Sequence, residues 1–427
     1  MFAKLNKSFR TLRQHPFLSL TVALIFLTTN YFLGLFFWGK YHLHRAEDLI
    51  SQENFSEAQS HLTQALWARG SDPDIYLRLA RVERQLEHYA EAEKALQKAI
   101  ALRGKSSESD QLEWVLLRAY RGEYDEVKGG LWNCILANHP DQDHIFQTMV
   151  SVSLRQRDYA ETMDILDFWL EKEPNSVNAL HRRASVHDFL NHREAALADF
   201  DRAIELAPGR DDIRLQLIDL LLYLQKIELV KKQVDYLVER TPNRNEVLYA
   251  LAQLCVRTGK NEQAKKALAQ LISQKPDFAA AYVLRGKLEL ESENFAEAEP
   301  FLQQAVNLNP HDPEAQYTLG QVLTRIPDRL TEGAEHLKRS EMIQKDFARA
   351  GDLIRKDLPA SPNNVELIIE LAQIYFRVGQ DKEAIMWLFN GLKWMPQQPE
   401  IHRILAEYYQ RIGDLDKEKI HRKYAGS

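Results

Sequence analysis

Hydrophobic and polar positions alternate with helical spacing along most of the chain. In the stretch 177–206, apolar residues recur three and four positions apart in two blocks, Val177 to Leu190 and Arg193 to Leu206. The two residues between the blocks, Asn191 and His192, are polar. Since this spacing collects apolar side chains on one face of each helix, the pattern predicts a helix–turn–helix unit.

The unit recurs with a period of 34 residues. Six prolines mark the period without interruption, and two more repeat it after one longer gap: Pro140, Pro174, Pro208, Pro242, Pro276, Pro310, then Pro362 and Pro396. Proline ends a helix because it lacks an N–H and clashes with the preceding turn. A fixed period of this length is typical of repeat arrays whose units bury their apolar faces against their neighbours.

Small residues stand at fixed offsets within the unit, where two closely crossing helices need them. They are Ala184, Ala196 and Ala203 in one unit, Ala80, Ala92 and Ala99 in another, and Gly286, Ala298 and Ala305 in a third. With the turn Gly122-Glu123-Tyr124 and the helix start Phe55-Ser56-Glu57-Ala58, this pattern resembles the tetratricopeptide repeat (TPR) family. The resemblance implies an all-α, right-handed superhelical solenoid that recognises partners.

About eleven repeats are predicted, starting near residues 39, 73, 108, 143, 177, 211, 245, 279, 313, 365 and 399. The unit from 211 has Ile218, Val230 and Leu237 at the small positions, and Trp169 fills one in the unit from 143, so we expect looser or rotated packing there. Pro310 and Pro362 are 52 residues apart. This excess predicts an insertion or extra helix near 326–361, which is either a packing irregularity or a bend or docking surface.

The N-terminus has a different pattern. Residues 17–38 carry no charge, and 22 helical residues extend about 33 Å, enough for a hydrocarbon core. We therefore expect a basic tail at 1–16, a transmembrane helix at 17–38 and the solenoid at 39–427. A cleavable signal peptide is the alternative, but its apolar core is usually shorter and is followed by a small-x-small site that FFWGKYHLHRAED lacks.

Charge bears on orientation and on partners. Lys4, Lys7, Arg10 and Arg13 precede the apolar segment and fewer cations follow it, which favours a cytoplasmic N-terminus and a periplasmic or other extracytoplasmic repeat domain. The formal net charge is −6, and the part after the basic tail is more acidic still. General nucleic-acid binding needs a basic surface, so a nucleic-acid partner is not expected.

No catalytic residue, cofactor site or metal site is predicted. The chain has no phosphate-binding glycine loop, no H-E-x-x-H and no G-x-S-x-G. Its two cysteines, Cys134 and Cys255, lie several repeats apart and are expected in the core rather than in a disulfide. Asp141 or Asp143 is expected to cap a helix rather than bind an ion with the nearby histidines.

The resemblance also implies which side chains face the binding groove: fixed positions of each first helix. These are Arg78, Arg81 and Arg84 in the second repeat, His181, Arg182 and Ser185 in the fifth, Asp219 and Tyr223 in the sixth, and Gln253, Lys287, Gln321, Gln373 and Arg377 in later repeats. The three arginines form either a docking point for an acidic peptide, phosphate or lipid headgroup, or a solvated charged face. No ninth position carries the asparagine of chaperone-tail binders, which speaks against that ligand.

The main hypothesis is a non-catalytic, membrane-anchored scaffold or adaptor. It would bind partner peptides or helices in its groove and assemble an envelope or secretory complex. The alternative is a regulatory subunit of a membrane-associated enzyme complex, for example in glycan export, proteolysis or synthesis. An enzyme with an unrecognised site is the third hypothesis. The partner and the oligomeric state are not specified by the sequence.

Overall fold

A computed structural model describes residues 16–52 and 54–426, with the side chains of residues 16–23, 25 and 26 outside the description. The basic tail predicted at 1–16 therefore lies outside the described residues except for Pro16. Across the described ranges the regular structure is helical, with no strand. The chain forms two compact units, one of residues up to 154 with 160–165, the other of 155–159 with 166–427.

The first unit begins with one long helix, α1 (Pro16–Ser51), which is followed by shorter helices joined by turns. The shorter helices are α2 (Phe55–Ala68), α3 (Pro73–Gln85), α4 (Tyr89–Arg103), α5 (Glu108–Arg118), α6 (Tyr124–Leu136) and α7 (Gln142–Arg155). A kinked turn, Ala119–Glu123, joins α5 to α6 through Gly122 at φ 102°. The next helix, α8 (Tyr159–Lys172), has residues in both units.

The second unit continues the same helix pairs. They are α9 (Val177–Phe189), α10 (Arg193–Leu206), α11 (Asp211–Tyr223), α12 (Ile227–Arg240), α13 (Asn245–Arg257), α14 (Asn261–Gln274), α15 (Ala279–Glu291), α16 (Phe295–Leu308), α17 (Pro313–Leu323), α18 (Leu330–Asp352), α19 (Leu358–Ala360), α20 (Val365–Arg377), α21 (Asp381–Trp394), α22 (Pro399–Ile412) and α23 (Leu415–Tyr424). The bounds of α9 and α10 lie within one residue of those predicted.

The small residues of the repeat lie at the helix crossings. Ala184, Ala196 and Ala203 are fully buried. Gly286 is closer still to its partner helix, because a Cβ there would lie 2.4 Å from Leu302 Cγ. Since packing of this kind leaves no room for a larger side chain, these positions set how closely α15 and α16 approach.

The units with large residues at the small positions are also fully packed. Ile218 is 1% exposed and Val230, Leu237 and Trp169 are 0% exposed. Bulkier side chains thus fill the crossings themselves instead of leaving space between the helices.

The 34-residue period is also visible in the backbone. The turn residues Arg157, Asn191, Gln225, Gly259 and Glu293 all have positive φ, between 56° and 70°. A left-handed conformation is costly for a residue with a Cβ, which four of these five have, so their common register indicates that the packing of each helix pair imposes the same tight turn.

The stretch 326–361 contains the long helix α18 of 23 residues, a π-helical turn at Leu353–Asp357 and the short α19. Its apolar residues Ala350, Leu353 and Leu358 join the same buried cluster as Ile368 of α20. The Arg349 guanidinium donates to Glu370 at 2.7 and 2.8 Å. The extra residues are therefore part of the core of the second unit.

At the N-terminal end, α1 is one continuous helix of 36 residues. Within the described residues, no helix combines the length and apolar character needed to cross a membrane. Of the predicted span at 17–38, residues 17–23, 25 and 26 lie outside the part whose side chains are described.

Candidate functional site

The three arginines of the second repeat are paired with carboxylates inside the first unit. Arg78 lies 3.0 Å from Glu47. Arg81 Nη2 donates to Asp141 at 3.2 Å. Because each cation already has an anionic partner, this strip offers less free charge than its sequence suggests.

Arg84 is the most strongly enclosed of the three. It is 1% exposed, donates to Glu113 at 2.5 and 3.3 Å, and donates to Thr148 Oγ1 at 3.1 Å. Burial alone would lower the pKa of Arg84, but the Glu113 carboxylate outweighs this and raises it. The buried ion pair joins α3 to α5, and the hydrogen bond to Thr148 adds α7, so Arg84 links three consecutive first helices.

His144 borders this ion pair. Arg81 Nη1 lies 2.9 Å from His144 Nε2. Burial, followed by the positive charge of Arg81, lowers the pKa of His144 to about 4. At neutral pH the ring is therefore uncharged and accepts a hydrogen bond from the Arg81 N–H. The charge of Arg81 is balanced by Asp141 instead.

The fifth-repeat residues lie on α9 in the second unit. His181 is buried, with Nε2 3.2 Å from Gln216 Oε1. Ser185 Oγ donates to the same oxygen at 3.0 Å. Arg182 is half-buried. The three predicted residues thus lie close together, but His181 and Ser185 already have Gln216 of α11 as a hydrogen-bond partner.

The sixth-repeat residues are more accessible. Tyr223 is 67% exposed, with the Arg193 guanidinium 4.5 Å from its ring centre. Asp219 is also exposed, yet the packing around its carboxyl group removes part of its hydration and raises its pKa. Gln321, predicted at the same kind of position on α17, is half-buried, and its backbone carbonyl accepts from Thr324.

The first open cavity lies between the first helices α13, α15 and α17, and we call it the Tyr249 hollow. Its volume is about 340 Å³. Apolar wall residues alternate with polar ones, and the residues that matter below are Tyr249, Gln253, Val256, Leu284, Lys287 and Asp312. Gln253 and Lys287 are two of the residues predicted from the sequence.

The Tyr249 hollow holds an ion pair, and acidic residues lie near Tyr249. Lys287 pairs with Glu314. Burial, then the negative charges of Asp219 and Asp312, raise the pKa of Tyr249 to about 12. The phenol therefore stays protonated and available as a donor, while the aliphatic walls offer apolar contact to an entering side chain.

The second open cavity, the Tyr408 hollow, lies on α20 and α22 and has a volume of about 440 Å³. Ile404 is its buried floor, and the Phe376 and Tyr408 rings lie 5.7 Å apart. Its rim is formed by the predicted residues Gln373 and Arg377 and by Arg403, Glu407 and Arg411.

The rim arginines are held by neighbouring acids but stay half exposed. Arg377 lies 2.6 Å from Asp346 and Arg411 lies 2.7 Å from Asp381. The Arg411 guanidinium also covers both rings, 5.7 Å from Phe376 and 5.3 Å from Tyr408. The cavity thus has an aromatic interior and a polar, charged edge.

Sequence reasoning missed the aromatic residues Tyr249, Phe376 and Tyr408, because apart from Tyr223 the groove positions singled out were polar or charged. It also missed two histidine pairs, His42 with His61 at 2.7 Å and His402 with His421 at 2.9 Å between Nδ1 atoms. In both pairs the two histidines are 19 residues apart in the sequence, and this common spacing is the sequence signal that could have revealed them. In the described part of the chain, no group of three or more His, Cys, Asp or Glu residues is arranged to hold a metal ion.

Comparisons with known proteins agree on the repeat. Models of the tetratricopeptide repeat match residues 49–113, 177–210, 249–313, 283–346 and 341–408, which together cover more than half of the chain. No curated protein matches the sequence.

Several solved structures are similar over part of the chain. A thermophilic TPR protein from Thermus thermophilus is 21% identical and covers 47% of this chain and 100% of its own, with a TM-score of 0.35. A tetratricopeptide repeat protein from Parabacteroides merdae is 16% identical over 71% of this chain and 99% of its own, with a TM-score of 0.35. YrrB, described as a TPR protein with an unusual peptide-binding site, is 17% identical over 48% and 96%, with a TM-score of 0.28.

Proposed function

The chain belongs to the tetratricopeptide repeat family, and from this premise we propose that it is a non-catalytic scaffold that binds an extended peptide or a helix of a partner protein. TPR proteins bind other proteins or peptides. The partner would lie along the first helices of the second unit. The observation that carries the proposal is the Tyr249 hollow, where apolar walls and a few polar groups converge on an unfilled cavity.

The chemistry of the Tyr249 hollow suits a peptide rather than a reaction. Val256 and Leu284 offer contact to an apolar side chain, while Gln253 has both a donor and an acceptor for a peptide backbone. Lys287 is already paired with Glu314, and the Tyr249 hydroxyl stays protonated. This arrangement supports recognition without a nucleophile or an activated base.

Site-specific photo-crosslinking tests the proposal. A benzophenone amino acid replaces Tyr249 in one full-length variant and Lys287 in another, and a third carries it at Lys266, exposed on the second helix α14. We expect positions 249 and 287 to crosslink to one short segment of one protein, and position 266 not to. Leu284→Asp should abolish both crosslinks while the helical circular dichroism is unchanged.

Equal crosslinking at all three positions, or crosslinks that persist in the Leu284→Asp variant, would contradict binding at this hollow. The identity of the crosslinked protein distinguishes a scaffold of an envelope or secretory complex from a regulatory subunit of an enzyme complex.

We further propose that residues 17–38 anchor the chain in a membrane, with the N-terminus cytoplasmic and the repeats in the periplasm or an equivalent compartment. Support comes from the uncharged sequence of the segment and from large apolar side chains of α1 that the described residues leave uncovered. Leu27 is 66% exposed, Phe32 is 67% and Phe37 is 62%. Exposed apolar surface of this extent indicates an interaction with lipid or another apolar phase.

A reporter that is active only outside the cytoplasm, fused after Ser427, tests the orientation. Activity there together with carbonate-resistant membrane association is expected. Release of the full chain by carbonate would contradict the anchor, and activity only of a cytoplasmic reporter would contradict the orientation.

A further inference from the structure

The end of the first repeat next to the proposed anchor carries aromatic and basic side chains from two helices. We propose that this surface, Trp38, Lys40 and Tyr41 of α1 with Trp67 and Arg69 at the end of α2, contacts the headgroup region of a phospholipid bilayer. We call it the collar. This inference rests on the proposed membrane anchor and adds that the repeat domain itself is seated on the membrane.

The packing register of α1 and α2 places Trp67 and Arg69 at the level where the apolar segment ends. A Cβ on Gly39 would lie 3.0 Å from Arg69 Cγ and 3.1 Å from Ala68 Cβ. Further along, His42 faces His61, and Ala46 and Ala58 share one buried cluster. The two helices therefore run antiparallel, so α2 returns to the level of residue 39 of α1.

No flexible linker separates the apolar segment from the repeat. Because α1 is helical from Pro16 to Ser51, its apolar part and the first helix of the first repeat are one rod. The stretch from Gly39 to Ser51 extends roughly 18 Å. The end of α2 is thus fixed beside residues 36–40 and cannot move away from them by rotation of a loop.

The collar side chains are exposed where a soluble repeat would be expected to cover them. Trp67 is 72% exposed, Tyr41 is 63% and Trp38 is 48%. Exposure alone decides little, since Trp394 at the end of α21 is 57% exposed. What sets Trp67 apart is its position beside a helix whose side chains from Leu27 to Phe37 are largely uncovered.

The composition of the collar fits a lipid–water boundary. Tryptophan and tyrosine rings concentrate at this boundary because one part of the ring is apolar and the other forms hydrogen bonds. Lys40 Nζ lies 5.2 Å and the Arg69 guanidinium 5.9 Å from the Phe36 ring centre, so two basic side chains lie at the end of the apolar stretch. Arg69 is also paired with Asp72 at 3.2 Å, so most of the free positive charge of the collar comes from Lys40. Positive charge in this position attracts anionic lipid headgroups. A peptide or protein partner need not carry negative charge, so this feature favours lipid.

Spin-label accessibility in vesicles tests the collar. Single cysteines are introduced as Trp67→Cys, Ser56→Cys and Leu27→Cys into the full chain carrying Cys134→Ala and Cys255→Ala, and each variant is reconstituted in phosphatidylcholine with one quarter phosphatidylglycerol. Ser56 is the matched control, because it is exposed on α2 eleven residues before Trp67, roughly 16 Å further along the helix.

At position 67 we expect accessibility to a water-soluble nickel chelate several-fold below that at position 56, with retained accessibility to oxygen. At position 27 we expect oxygen accessibility alone. Oxygen dissolves in lipid and the chelate does not, so lipid contact gives this combination, whereas cover by a protein or a second copy lowers both.

Three results overturn the collar. Equal chelate accessibility at 67 and 56, with 27 inside the hydrocarbon, rejects the collar and leaves the anchor intact. Loss of both accessibilities at 67 assigns the surface to protein contact. Chelate accessibility at 27 rejects the anchor, and the collar with it.

Discussion

The same repeat positions carry opposite chemistry in the two units. In the first unit Arg84 and Glu113 form a buried ion pair between the first helices α3 and α5. Counted from the start of their repeats, two of the equivalent pairs in the second unit are apolar, Val256 with Leu284 and Phe376 with Ile404. Both of these pairs line open hollows.

The difference shows that a groove position does not by itself make a binding residue. The long side chains of Arg84 and Glu113 satisfy each other and fill the space between neighbouring first helices. Shorter or planar apolar side chains at the same positions need no partner and leave a cavity. A ligand is therefore expected at the second unit, where the space is unfilled.

The largest expected effect comes from breaking the ion pair. Arg84→Val removes the two close hydrogen bonds to the buried Glu113 carboxylate and leaves it only the longer contact with Arg81 at 3.6 Å. We expect this to lower the free energy of unfolding by about 3–5 kcal/mol. The double variant Arg84→Val with Glu113→Leu reproduces the pair of the Tyr249 hollow and should recover most of that loss. Urea unfolding, with hydrogen exchange of α3 and α5, measures both.

If the single and double variants are equally unstable, the ion pair is not what holds this region, and the comparison of the two units fails. Arg403→Ala, at a half-exposed rim arginine of the Tyr408 hollow, is the control and should cost at most about 1 kcal/mol.

Acid should weaken the first unit through His144. Its pKa is about 4 in the folded state, below the ordinary value of about 6.5 expected in the unfolded chain. The unfolded chain therefore binds the proton first as the pH falls. The stabilisation from the neutral ring is complete above pH 6.5 and is lost between about 6.5 and 4, by an amount on the order of 3 kcal/mol.

Carboxylates also titrate at about pH 4. The quantity to compare is therefore the difference in free energy of unfolding between the native chain and His144→Gln, from about pH 6.5 to about pH 4. Chemical unfolding at several pH values should show the two stability curves converging toward pH 4. Parallel curves would show that His144 does not contribute.

The smallest expected effect comes from adding a methyl group at a tight helix contact and at an open helix position. Gly286→Ala in the second unit should destabilise by about 1–2 kcal/mol, because the new Cβ lies 2.4 Å from Leu302 Cγ and overpacking outweighs the gain in helix propensity. Gly129→Ala in the first unit has no atom within 4 Å of the new Cβ and should stabilise by up to about 1 kcal/mol. Thermal unfolding of both variants gives the signs, and a stabilising Gly286→Ala would show that Leu302 moves aside at little cost.

Part of the candidate site follows from the sequence. Gln253 and Lys287 line the Tyr249 hollow, and Gln373 and Arg377 line the Tyr408 hollow, because the repeat fixes which face of each first helix they occupy. The aromatic residues between them were not singled out, since an aromatic residue at helical spacing is equally typical of a core.

The sequence by itself determined the 34-residue period, the helix pairs and their small contact residues, because these depend on spacing within a few turns of helix. Only the tertiary structure decided that Arg84 forms its ion pair with Glu113, 29 residues away, and that Arg81 pairs with Asp141, 60 residues away. It also decided that Trp67 lies beside the end of the apolar segment. Helical periodicity specifies the face on which a side chain lies, but its partner comes from another helix, and only the packing of helix on helix brings the two together.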